Sequence, residues 1–142
     1  LIGKYYFYLL DSRVHGNDIC KSVLYYKERM IITKTTPYTK AEIKQLSEVF
    51  DTYIKTVIDM TTKVCSAGCD RHYESEEILL KQGLRQSDIW GGGIDLETRA
   101  IDCNSFINIR STDNNTSNEI QDKTIREEYE TLTKYFFKEL YE

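Results

Sequence analysis

A single proline, Pro37, and a single tryptophan, Trp90, stand in 142 residues, and no apolar run approaches the roughly 18–20 residues that span a bilayer. A membrane-spanning protein is therefore not expected. Lys and Arg are outnumbered, leaving a formal net charge of −4, so neither nucleic acid nor an anionic membrane is a default partner. There is no phosphate-binding glycine loop, no evident nucleophile beside a base, and no internal repeat or low-complexity segment. The opening LIGKYYFYLL is apolar, but Lys4 and three tyrosines interrupt it and no small-residue cleavage site follows, which makes a poor signal peptide. A cytoplasmic location is expected. Cys20, Cys65, Cys69 and Cys103 then read as thiols and not as a disulfide framework. Cys65-x3-Cys69-x2-His72 with the distant Cys103 can be assembled into a zinc site on paper. The spacing is looser than that of a zinc knuckle, and buried thiols acting as small hydrophobes are the preferred reading. No metal and no cofactor is expected.

What remains is the composition of one small globular domain, 40% apolar and 30% charged. Residues 1–29 stand apart, holding five of the eleven tyrosines and ending at the first methionine, Met30. Within them Leu10–Ile19, LDSRVHGNDI, resembles the translation of a bacterial intergenic palindromic repeat. We therefore expect residues 1–29 to be a non-native or disordered extension in which Asp11, Arg13 and His15 carry no function. The competing reading is a genuine extension with strands near 5–10 and 22–27. Residues 30–142 are expected to form a single α+β domain.

The alternating Ile31–Thr35 predicts a strand, ended by Pro37-Tyr38. Thr39-x-x-Glu42 is a capping box and opens a helix with Ile43, Leu46, Val49 and Phe50 on one face. Residues 53–59 and 63–68 are β-rich and separated by a short polar turn, a hairpin signal. A second helix over about 74–82 is acidic at its start and closed by Gly83. A strand over 88–95 is weakened by Gly91-Gly92-Gly93, which are not expected to lie together in a regular buried ladder. Residues 100–110 predict another strand and 111–121 a polar loop. The last helix starts after Asp122 with an apolar stripe of Ile125, Tyr129, Leu132, Phe136 and Leu140. The order β-α-β-β-α-β-β-α predicts two layers, a mostly antiparallel sheet with its helices on one face.

From Met30 onward the chain resembles a family of short, uncharacterised bacterial proteins, domain of unknown function 5674. The resemblance is carried by Val57-Ile58-Asp59, by His72-x-Glu74 with Leu79-Leu80-x-Gln82-Gly83, by Gln86-x-Asp88-x-Trp90-Gly91, and by Ser105–Arg110. The spacing from Asn115 and Ser117 to Asp122 and Arg126 fits as well. The family brings no established activity, so the resemblance implies domain limits and not a reaction. The chain departs from the family pattern where Ser111 replaces a proline, where Thr116 replaces an arginine, and in its run of three glycines. The loss of that arginine puts anion binding in the 114–117 loop in doubt.

The densest chemistry lies in residues 83–118. Phe106, Asn108 and Arg110 share one face of the predicted strand, with Ile107 and Ile109 on the core face. Arg110 so placed can fork onto a carboxylate or phosphate, or pair internally with Asp88, Asp59 or Asp122. Trp90 is a core anchor before it is a pocket wall. Gln86, Asp88, Trp90, Asn108, Arg110 and Asn115 form the candidate ligand-binding set. His72 near Glu74 or Glu76 is the candidate general acid or base, against the plainer reading of helix-start chemistry. Arg126 sits unfavourably in a first helical turn unless an acid such as Asp122 pairs with it. Three functions follow, in order. The first is a non-catalytic domain binding a small anionic ligand or a protein partner; the second is an interaction protein forming a homodimer. The third is a small hydrolase using His72 with Glu74 or Glu76.

Overall fold

A computed structural model describes the backbone of residues 2–9 and 24–142 and the side chains of residues 31–142. The expectation for Asp11, Arg13 and His15 falls outside the described residues. The elements are β1 (Ile2–Leu9), β2 (Leu24–Lys34), α1 (Lys40–Val49), β3 (Tyr53–Asp59), β4 (Val64–Ala67), α2 (His72–Lys81), β5 (Ile89–Asp95), β6 (Ile101–Asp102) and α3 (Lys123–Phe136). This is an α+β fold. The six strands lie in the order β1-β2-β4-β3-β5-β6, every neighbouring pair antiparallel.

Strand β2 carries two ladders that do not overlap. Its residues 24–31 pair with β1, whereas Ile32, Thr33 and Lys34 pair with Ala67, Ser66 and Cys65 of β4. The β1–β2 ribbon thus continues from the body of the sheet at one point along β2.

The helix boundaries follow their caps. Thr39 Oγ1 accepts the Glu42 N–H at 3.1 Å while Glu42 Oε1 accepts the Thr39 N–H at 2.9 Å, so both halves of the capping box form. Asp122 Oδ1 accepts the Ile125 N–H and caps α3. Gly83 leaves α2 at φ +86°, the left-handed conformation glycine adopts without a side-chain clash.

The helices do not share one face, which corrects the two-layer expectation. In β3, Ile54 and Ile58 point into the main core with Trp90, Ile94, Tyr129 and Phe136, beneath α1 and α3. Val57, on the opposite pleat, packs with Leu79 of α2 and with Ile89. Helix α2 therefore covers the second face, giving three layers. The sequence hid this because Ile78-Leu79-Leu80 are consecutive and fan around the helix. Only Leu79 is fully buried, worth roughly 2 kcal/mol, while Leu80 is exposed.

A second correction concerns Gly91, Gly92 and Gly93. All three are buried and in ladder register, opposite Val57, Thr56 and Lys55. Their missing side chains leave room for bulky neighbours on both faces. A Cβ on Gly91 would stand 2.7 Å from that of Ser105, and one on Gly92 or Gly93 would collide with Tyr129 or Tyr53.

The third correction is the predicted strand at 100–110, of which only Ile101–Asp102 joins the sheet, Asn104 and Arg110 making isolated bridges to Glu119 and Asn115. Local side-chain bonds then turn the chain. Asp102 Oδ1 takes the Asn104 N–H at 3.0 Å and Ser105 Oγ takes the Ile107 N–H at 3.2 Å. Such contacts compete with ladder bonding, and 3-10 turns follow at Phe106–Asn108 and Ser111–Asp113. The expected sidedness fails with them for Asn108, Arg110 and Ile109, while Phe106 is outward as anticipated. Asn108 and Arg110 are buried, whereas Phe106 is 84% and Ile109 50% exposed.

Candidate functional site

Because β6 is only two residues long, the outer edge of β5 from Ile89 to Gly92 has no strand beside it among the described residues. Polar side chains take over that edge. Asn108 Nδ2 donates to the Gly91 carbonyl and Asn108 Oδ1 accepts the Gly91 N–H, both at 2.9 Å. The same Nδ2 also reaches the carbonyls of Cys103 and Asn118. One step along, Arg110 Nη1 donates to the carbonyls of Gln86 and Ile89. The guanidinium lies over the Trp90 ring, 4.0 Å from its centroid, a cation–π contact that burial strengthens. Asn115 ties down the far side, donating to the carbonyls of Asn108, Ser117 and Glu119 and accepting the Gln121 N–H.

Most of the predicted ligand-binding set is thus engaged with the chain itself. Arg110 Nε faces Asp113 Oδ2 at 3.3 Å without hydrogen-bond geometry, so its near ionic partner is Asp113; of the anticipated acids Asp88 acts on it from further off, as does Glu76. Trp90 belongs to the main core. Gln86 and Asp88 form a 3-10 turn before β5; Asp88 lies 3.6 Å from Arg85, and its carbonyl accepts the Met60 N–H. Burial raises the Glu76 carboxyl above its ordinary range, opposed by a bond from Gln86 and by the Arg110 charge. Arg126 Nη1 donates to the Ile120 carbonyl, which places its charge against backbone.

His72, the first residue of α2, lies elsewhere in the same neighbourhood. Its Nε2 donates to the Gly92 carbonyl at 2.7 Å. Burial and the Lys55 ammonium hold the imidazole below its usual pKa, against the opposing influence of the Gly92 bond and Asp102. The ring is therefore neutral near pH 7, with Nε2 the protonated nitrogen. Glu74 turns back instead, its Oε1 accepting the N–H groups of Asp70 and Arg71 at the helix start. Cys65 faces the α1–α3 core and His72 faces the α2 side, so the sheet separates two members of the paper zinc set. Burial pushes Cys65 up to about 12 and Cys69 up to about 11.

The principal cleft, about 530 Å³, opens between the first turn of α2 and the 104–107 segment. Its volume is that of a small-molecule site. Lys55, Arg71 and His72 supply its nitrogen-rich side; Tyr73, Phe106 and Ile107 supply an apolar wall; and no acidic side chain lines it. Lys55 Nζ is pinned at 2.7 Å by the Asp70 carbonyl. Arg71 occupies the N-cap position of α2, where Glu74 takes its amide and the Glu74 N–H bonds to its carbonyl, so the helix start is closed internally and the cations of the cleft are those of Lys55 and Arg71. Ser105, Asn104 and Asn118 complete the rim.

The sequence profile of a family described as "Protein of unknown function (DUF5674)" matches residues 30–136. The chain belongs to this family. No curated protein and no solved structure matches significantly. The DUF5674 region begins where the β1–β2 ribbon meets the body of the sheet and contains every residue of the cleft. Among its described residues no group of three or more His, Cys, Asp or Glu is placed to hold a metal ion, and no helix is long and apolar enough to cross a membrane.

Of the cleft's residues, sequence reasoning named only His72 as a candidate. Two signals pointed to others. Lys55 is a lone charge within the apolar strand YIKTVID, and Arg71 precedes a helix where an acceptor side chain is the norm. Phe106 was placed away from the core, but its meeting with His72 depends on the turn made by Ser105 and Asn108.

Proposed function

We propose that this DUF5674 domain binds a small anionic ligand without transforming it, in the cleft between the start of α2 and the 104–107 segment. One observation carries the reading. A chain of net charge −4 lines a cleft of about 530 Å³ with Lys55, Arg71 and a neutral His72 and with no carboxylate. Arg71 offers a planar fork and Lys55 a point charge to a carboxylate or phosphate. Asn108, Arg110 and Asn115 serve this site indirectly by fixing the 103–121 segment that forms one wall. A thermal-shift screen of small carboxylates and phosphates against the full chain tests the reading. Ligands that raise the melting temperature should lose at least about tenfold in affinity in Lys55→Met/Arg71→Ala, the worth of one charge-assisted hydrogen bond. Undiminished stabilisation of that variant would place binding elsewhere.

A second reading, self-association, draws support from the exposure of Tyr73, Phe106 and Ile109, an apolar group of the kind that marks contact surfaces. Light scattering over a concentration series tests it: a monomer throughout, at concentrations up to the millimolar range, removes it.

A further inference from the structure

Resting on the anion-cleft reading, we infer that the ligand is a planar ring bearing the anionic group, its ring held against Phe106 and Tyr73 at the mouth of the cleft. Phe106 is 84% exposed and Tyr73 54% exposed, yet both line the cleft. Large aromatic side chains are mostly buried, so two such rings left in solvent at one opening call for an occupant.

The Phe106 ring stands in water, but its backbone is held firmly. On one side Ser105 Oγ takes the Ile107 N–H; on the other, Asn108 clamps Gly91. The absence of a side chain on Gly91 lets Ser105 and Ile107 come down onto the sheet. Buried Asn108 and Asn115 are spent on fixing a turn whose central side chain buries almost nothing. Tyr73 is fixed equally well, on the first turn of α2 beside Arg71 and His72.

The two classes of wall set the ligand's chemistry. A bare oxyanion would meet Lys55 and Arg71 and leave both rings in water, while an uncharged aromatic would leave the two cations unanswered. A saturated ring would gain burial but not the face-to-face or edge-to-face geometry that π-systems prefer. Only a flat ring with an attached carboxylate or phosphate uses both sides.

Calorimetric titration of the full chain with phenyl phosphate, cyclohexyl phosphate and inorganic phosphate tests this. Phenyl phosphate should bind about tenfold more tightly than cyclohexyl phosphate, the ratio two ring contacts supply, and both more tightly than inorganic phosphate. Phe106→Ala, at an exposed position, should keep its melting temperature and bring phenyl and cyclohexyl phosphate to within about threefold of each other. Equal affinities for the two esters in the native protein would overturn the ring while sparing the anion cleft. A preference for phenyl phosphate that survives Phe106→Ala would overturn the assignment of Phe106. Failure of all three probes to bind would bring down both this inference and the proposal on which it rests.

Discussion

The side chain of Asn108 bonds to the backbone of Gly91 as a neighbouring strand would, giving one donor and one acceptor to a single residue at 2.9 Å each. With Arg110 on the Ile89 carbonyl, it closes a sheet edge that the two-residue β6 leaves open. The arrangement turns an edge strand into the foundation of the cleft wall.

Replacing that carboxamide should therefore unsettle fold and wall together. Asn108→Asp keeps the acceptor and loses the donor to Gly91, Cys103 and Asn118, and it buries a charge. A loss of about 3 kcal/mol is expected, read from the urea midpoint with an unchanged slope. A loss below about 0.5 kcal/mol would show that water replaces the amide.

Gly92→Ala drives a methyl group toward Tyr129 and the Asp102 carbonyl. Tyr129 is fully buried and bonded through its hydroxyl to Thr56, so it has little freedom to retreat. Overpacking of this kind costs about 1–3 kcal/mol. Thermal melts of Gly92→Ala and of a distant surface Gly83→Asn variant should differ in that sense, with Gly92→Ala the less stable.

His72 gives the domain a pH dependence with a definite sign. Its native pKa is depressed by burial, so the unfolded chain binds the extra proton first as pH falls through about 6.5. The stability conferred by the neutral ring is complete above that value and is lost as pH drops toward the lower native pKa. Urea midpoints measured from pH 8 to pH 5 should show the native protein's advantage over His72→Gln shrinking below about pH 6.5. A constant gap would mean the ring's pKa is unchanged by folding.

A chain starting at Met30 should melt within a few degrees of the full chain. Strand β1 pairs only with residues 24–31 of β2, the described core begins at Ile31, and the family match starts at residue 30. A drop of many degrees on calorimetry would show that the ribbon carries stability for the domain.

Helix limits were legible because caps are local chemistry: Thr39 with Glu42, Asp122 with Ile125, and Gly83 each act within four residues. The alternation of Ser105–Arg110 misled because it counts polarity and not satisfaction. Asn108 and Arg110 are buried by the hydrogen bonds that they give to Gly91, Gln86 and Ile89, partners some twenty residues back in the chain. The three glycines misled for a related reason, since Tyr53, Ser105 and Tyr129 fill their space from distant segments. The face chosen by α2 was equally out of reach, because Ile78, Leu79 and Leu80 offer apolar surface on every side. His72 was found as a polar residue at a helix start, but the cleft around it needed Lys55 from β3 and Phe106 from the turn.

One consequence follows from where the turn is fastened. The anchors at 108 and 115 bond inward, while residues 104, 106 and 118, on either side of them in the chain, line the opening. If the cleft takes the ligand proposed above, the residues that would choose a guest are distinct from those that keep the polypeptide in place. Relatives, or designed libraries, can exchange the former freely and present new guest preferences on an unaltered frame.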